Sequence, residues 1–185
     1  MRAIPGLVVI RPADANETSY AWKAALEHKG GPVAIALTRQ KINIIDRNKY
    51  ASAEGLEKGA YIIKDSEGKP DVILLASGSE VDMTIKAAEK LDGEGIKARV
   101  VSFPSWELFE AQSAEYKESV LPKDVKARLS IEPGVKQGWE KYIGDYGDCL
   151  SIEGFGASAP LEVIFDKYGF SVDNIIAKAK GLLNQ

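Results

Sequence analysis

The sequence predicts an α/β protein, a three-layer α/β/α arrangement with a mainly parallel sheet. Two observations carry this. Short, wholly or strongly apolar runs at residues 7–10, 33–37 and 71–76 mark strands buried on both faces. Between and after them lie stretches with apolar residues at helical spacing, and strands alternating with helices imply a parallel sheet covered on both sides.

The first segment reads as a βαβ unit. Leu7-Val8-Val9-Ile10 is a buried strand, and Asp14, with Glu17 three residues on, supplies a helix start. Ala21, Trp22, Ala25 and Leu26 recur at helical spacing before Gly30-Gly31-Pro32 ends the helix. Residues 33–37 form a second strand, ending in Thr38-Arg39-Gln40. One βαβ unit cannot cover both faces of its own sheet, so this opening, residues 1–40, looks like part of a larger sheet. Residues 41–58 are polar and without period, and read as a linker.

A fuller domain follows over 59–185. Residues 61–63, 71–76 and 97–103 are strands. Ser77-Gly78-Ser79-Glu80 turns into a helix with Val81, Ile85, Ala88 and Leu91 on one stripe, with Ser77 or Ser79 expected to cap it. Residues 105–120 look like one helix. Residues 128–132 and 150–152 are short strands, with Trp139, Lys141 and Tyr142 on a short helix between them. Ser158 and Pro160 suit a helix start leading to Leu161, Ile164 and Phe165. The last helix is capped by Ser171 and presents Val172, Ile175, Ile176, Ala179, Leu182 and Leu183 on one face.

At 185 residues the chain fits one large domain, or one domain with part of another. A net charge of −3 gives no basic field for nucleic acid and no polybasic membrane patch. No apolar run approaches the ~20 residues a membrane span needs, and the N-terminus lacks a signal peptide's apolar stretch. The lone cysteine, Cys149, excludes an internal disulfide framework and fits a reducing cytosol. The expectation is a soluble cytoplasmic protein with neither nucleic-acid nor membrane partners.

Catalytic material is scarce. The single histidine, His28, lies near a helix end in a charged stretch and reads as a surface residue. One histidine and one cysteine make no zinc constellation. A Cys149–His28 nucleophile pair is weighed against a buried structural cysteine, and the latter is favoured. There is neither a nucleotide-hydrolase phosphate loop nor a dinucleotide glycine fingerprint. Two places rise above this. Arg39 follows a buried strand, where ligands of open α/β sheets sit, and its planar fork suits a phosphate; the alternative is an ordinary salt bridge. Ser77–Glu80 opens a helix, where free amides and the dipole suit an anion; the alternative is plain capping.

The motifs in order resemble transketolase. Arg2-Ala3-Ile4-Pro5, Arg11-Pro12-Ala13-Asp14 with Asn16-Glu17, and Ala36-Leu37-Thr38-Arg39-Gln40 are similar to the end of that family's pyrimidine-binding domain. Glu57-Lys58-Gly59-Ala60-Tyr61, Ala76-Ser77-Gly78-Ser79-Glu80-Val81 and Val100-Val101-Ser102-Phe103-Pro104 resemble the start of its C-terminal domain. Gly138-Trp139-Glu140-Lys141-Tyr142, Phe155-Gly156-Ala157-Ser158-Ala159-Pro160 and Tyr168-Gly169-Phe170-Ser171 continue it. Lys41-Ile42-Asn43 departs from the family's Asn-Leu-Pro-like run.

The resemblance implies an enzyme moving a two-carbon ketol unit between sugar phosphates in the pentose phosphate pathway. It also implies thiamine diphosphate and magnesium (or calcium) in the complete protein and a homodimeric parent. It makes Arg39 the contact to substrate phosphate. The family's cofactor-activating glutamate, substrate histidines and metal ligands match nothing in this chain. The expectation is therefore a C-terminal piece, binding no cofactor and inactive alone, with the remainder of the transketolase as its partner. The alternatives are a structural, dimer-stabilising module, or an anion- or nucleotide-binding regulatory module.

Overall fold

The computed structural model describes residues 1–184; Gln185, the last residue of the expected C-terminal domain, lies outside them. Strands β1 (Val8–Ile10) and β2 (Val33–Ile35) pair in parallel, connected by helix α1 (Ala15–Glu27). The helix starts where the sequence places it. The Asp14 carboxylate accepts the Glu17 N–H at 2.8 Å, and Glu17 reaches back to the Ala13 N–H at 2.7 Å. These bonds satisfy donors that a first turn leaves free. β1 is buried throughout, whereas β2 is only half-buried and two residues shorter than expected. No further described strand covers β2's outer edge. On α1 only Ala21 of the expected apolar face is fully buried; Trp22 and Leu26 are 55% and 78% exposed. The helix packs against a 3-10 helix at Ala53–Lys58, which leaves its other flank uncovered.

Residues 41–58 are therefore packed as well as connecting, with Ile45, Ala53 and Leu56 buried. The main sheet follows, built from β3 (Tyr61–Lys64), β4 (Val72–Ala76), β5 (Ala98–Ser102), β6 (Arg128–Ile131) and β7 (Asp148–Leu150) in the order β3-β5-β4-β6-β7. β3 runs antiparallel to β5, and the other pairings are parallel. β4 shows why this is a three-layer fold. Its Val72, Leu74 and Ala76 join one core with α2 (Glu80–Gly93) and α7 (Val172–Leu183). Its Ile73 and Leu75 join a second core with Phe103, Phe109, Val120 and Tyr142. Period-two alternation in a strand covered on both faces has to feed two cores.

The single helix expected over 105–120 is two, α3 (Trp106–Glu110) and α4 (Ala114–Val120). Ser105 and Ser113 cap them, accepting the N–H groups of Leu108 and Tyr116. A serine able to cap competes with a continuing helix. A short helix α5 (Glu140–Ile143) precedes β7, which starts two residues before the expected strand. α6 (Leu161–Lys167) buries none of its residues, and Ser171 caps α7 as expected.

Candidate functional site

Two segments meet at the carboxyl ends of the strands. Arg11 immediately follows β1; its N–H donates to the Pro104 carbonyl at 2.8 Å, and its own carbonyl accepts the Gly78 N–H at 3.1 Å. The opening βαβ unit is thus stitched to the loops that leave β4 and β5. The Arg11 guanidinium lies over the β4–α2 turn. It donates to the Ser77 carbonyl and to the hydroxyls of Ser77 (3.1 Å) and Ser79 (3.4 Å), and pairs with the buried Glu80 at 2.5 Å. Gly78 has φ +61°, and a Cβ there would stand 2.5 Å from the guanidinium carbon. The positive φ favours glycine, and a Cβ would also push the guanidinium from its place.

The expected caps of α2 take other partners. Ser79 makes no capping bond and its hydroxyl donates to Glu80 at 2.7 Å, while the Ser77 hydroxyl donates to Glu132 at 2.5 Å. Glu132 also receives both Nη atoms of Arg2, at 2.5 and 2.7 Å. Burial would raise the Glu132 pKa, but the Arg2 fork and the Ser77 hydroxyl outweigh it and hold the carboxyl below its ordinary range. At this turn an internal Arg11–Glu80 pair stands where an external anion was considered.

A second polar network sits behind the first. The fully buried Glu17 accepts from Tyr61 at 2.7 Å and Ser102 at 2.6 Å, besides the Ala13 N–H. Asp14 accepts the Ile45 N–H at 3.0 Å and Arg47 at 3.1 Å. Desolvation pushes the Glu17 pKa up against these bonds, and burial likewise raises the Tyr61 phenol. Asp14 and Glu17 thus fix the helix start, as the sequence suggests, and also join α1 to β3 and β5.

Arg39 lies four residues beyond β2, exposed, with no ion-pair or hydrogen-bond partner among the described residues. Its neighbours Thr38 and Gln40, joined by a 3.0 Å hydrogen bond, line a cavity of about 290 Å³. Arg11, Lys41, Ser79, Glu80 and Asp82 line the same cavity. Arg39 itself is not one of the lining residues; it stands between two of them in the chain, beyond the strand ends where open α/β sheets take ligands.

The remaining candidates are separate from this place. His28 is half-buried at the C-terminal end of α1. Cys149 lies on the edge strand β7, half-buried rather than buried, and burial raises its thiol pKa. No hydrogen bond joins the two among the described residues, and no three His, Cys, Asp or Glu side chains there converge as metal ligands. No described helix is long and apolar enough to cross a membrane. The residues that sequence reasoning missed are Arg2, Arg11 and Glu132. Arg11 could have been found by the rule that picked out Arg39, a guanidinium directly after a buried strand.

Comparison with known proteins adds the following. Residues 59–171 match the transketolase-like TK C-terminal domain, and residues 1–44 match the transketolase pyrimidine-binding domain. The transketolase of Halalkalibacterium halodurans is 54% identical over 183 residues, 99% of this chain and 28% of that protein. The solved transketolase of Leishmania mexicana superposes with a TM-score of 0.90 at 39% identity, over 99% of this chain and 26% of that one. The transketolase of Pichia stipitis, solved in complex with sedoheptulose-7-phosphate, gives the same score, identity and coverage. The chain thus spans about a quarter of the length of the relatives it matches.

Proposed function

Because the chain belongs to the transketolase family, we propose that it forms the C-terminal portion of an enzyme transferring a two-carbon ketol unit between sugar phosphates. In this reading residues 1–40 close the pyrimidine-binding domain, 41–58 connect, and 59–185 are the C-terminal domain. The observation that carries the proposal is Arg39, an exposed guanidinium with no partner among the described residues, between two residues that line a cavity. Its role is to grip the substrate phosphate, which a planar fork does bidentately. The sedoheptulose-7-phosphate bound by the Pichia stipitis relative is a ligand of that class.

The described residues carry no feature that assigns thiamine diphosphate or magnesium to this chain. They offer no converging metal ligands, and the cavity beside Arg39 is lined by carboxylates as well as cations. Thiamine diphosphate and magnesium are accordingly assigned to other parts of the transketolase, and the 185 residues are proposed to be inactive alone. The parent is proposed to be a cytoplasmic homodimer. A regulatory anion site at Ser77–Glu80 is less favoured, because Arg11 and Glu80 already pair over that turn.

The test is ketol transfer between xylulose 5-phosphate and ribose 5-phosphate, with thiamine diphosphate and magnesium supplied. The isolated chain should be inactive and should gain activity when the family's N-terminal portion is added. Turnover by the isolated chain would refute this division of labour.

A further inference from the structure

Of residues 1–6, all are exposed except Arg2. Its guanidinium is recognised in both ways that group allows. In its plane, Nη1 and Nη2 donate to the two oxygens of Glu132 at 2.5 and 2.7 Å. The guanidinium carbon also lies over the Trp106 ring, 4.1 Å from its centre, and 5.7 Å from that of Trp139. A fork to a carboxylate combined with a cation–π contact to indole suits guanidinium better than ammonium, which has no planar fork.

The frame of this pocket belongs to the main domain. Glu132 follows β6 and is only 7% exposed; Trp106 opens α3; Trp139 precedes α5 and is 1% exposed. Trp139 meets Phe103 and Trp106 edge-on at 5.5 and 5.2 Å, so the indoles are held by the aromatic core. Gly138, at φ +91°, makes room for this, since a Cβ there would lie 2.5 Å from the Trp106 ring. A cavity of about 330 Å³, lined in part by Arg2, Trp106, Glu132 and Gly138, opens beside the guanidinium. A small cation can therefore reach the place.

We propose that Glu132, Trp106 and Trp139 form a guanidinium-binding site at the carboxyl edge of the main sheet, built for an arginyl side chain and filled in this chain by Arg2. The site holds an otherwise exposed segment onto the domain. Through Ser77, which bonds both Glu132 and Arg11, its occupancy is felt at the β4–α2 turn. Emptied of Arg2, the frame should accept a free guanidinium.

The experiment uses the 185-residue chain carrying Arg2→Ala, titrated with methylguanidinium, with methylammonium at equal ionic strength as control. Melting temperature and tryptophan fluorescence are read. The variant should melt about 5 °C lower than wild type. Methylguanidinium should restore part of this with saturation in the millimolar range. Wild type, its site filled, should gain nothing, and neither should the double variant Arg2→Ala, Glu132→Gln. An unshifted melting temperature, an equal response to methylammonium or an equal gain in wild type would overturn the proposal. If Arg2→Ala does not fold, refolding in each cation decides. Recovery with methylguanidinium alone supports the site, and recovery with both or with neither overturns it. Arg2→Lys keeps the charge without the fork, so wild-type stability in that variant would also overturn guanidinium selectivity.

Discussion

Replacing Glu17 tests the polar junction most directly. Its carboxylate lies on α1, yet two of its three donors, Tyr61 and Ser102, belong to the main sheet. Glu17→Ala leaves the two hydroxyl protons and the Ala13 N–H without an acceptor, although the Tyr61 oxygen still accepts from Arg47. At the low end of the cost of a stranded donor, about 1 kcal/mol each, that is about 3 kcal/mol. One lost methylene adds about 0.8 kcal/mol, and relief from burying a carboxylate returns part of the total. A net loss of about 3–4 kcal/mol corresponds to a melting temperature lower by about 10 °C. Urea unfolding at pH 7 measures it directly. A loss under about 1 kcal/mol would mean that the buried carboxylate is not holding the junction.

Glu17→Gln isolates the charge. The folded pKa of Glu17 is raised above 4.5 by desolvation, so the folded state holds the proton where the unfolded chain has released it. That contribution to stability is complete below about pH 4.5 and is lost as pH rises through the folded pKa, with a limiting slope of about 1.4 kcal/mol per pH unit. Glu132 has the opposite sign. Its pKa is lowered, so its contribution is present above about pH 4.5 and fades only as pH falls below that. The two effects occupy different windows. In Glu17→Gln the decline above pH 4.5 should flatten while the acid limb stays. An unchanged slope above pH 4.5 would refute the assignment.

Three further outcomes are expected. Arg39→Ala should leave the melting temperature unchanged, since the side chain is exposed and unpartnered. In the complete enzyme it should raise KM for sugar phosphates by about 10–100-fold, the worth of charge-assisted hydrogen bonds, and steady-state kinetics with Arg39→Lys as comparison will show whether the fork matters. Gly59→Ala should destabilise by about 3 kcal/mol or more in thermal melts, because its φ is +82° and a Cβ would stand 2.1 Å from the Phe109 nitrogen. Cys149 should react with a disulfide reagent at pH 8 at least about tenfold more slowly than a free thiol, given its burial and raised pKa.

How much of this was legible in the sequence depends on the range of the interaction. β4 is wholly buried and wholly apolar, so it appears in the sequence as an apolar run that any reader would find. The caps at Asp14 and Ser171 are local, each bonding a backbone N–H three residues on, and they too were readable. Trp22 and Leu26 were readable only as apolar; their spacing says that a face exists, not that the described residues cover it. Ser77 and Ser79 misled because the partner of Ser77, Glu132, is 55 residues away. In a chain with 24 basic and 27 acidic residues, nothing local distinguishes a carboxylate that will be buried from one that stays in water.

Those distant pairs nevertheless fix where Arg39 stands. The βαβ unit gives Val8, Ile10, Ala13 and Ala21 to the larger core, but an apolar contact alone tolerates some sliding. Buried charges do not tolerate it. Displacing the unit would strand Glu17, Glu80 and Glu132 without Tyr61 and Ser102, Arg11 and Arg2, at the several kcal/mol that breaking a buried pair costs. The carboxylates face in opposite directions across the junction, with Glu17 on the unit receiving from the sheet, and Glu80 and Glu132 on the main domain receiving from the unit. Each network therefore blocks a displacement that the other would permit. With β1 held over the β4–α2 turn and β2 in register beside it, the chain leaving β2 is delivered to the sheet's carboxyl edge. Arg39, without an ion-pair or hydrogen-bond partner among the described residues, lies on that segment between two residues that line the crevice.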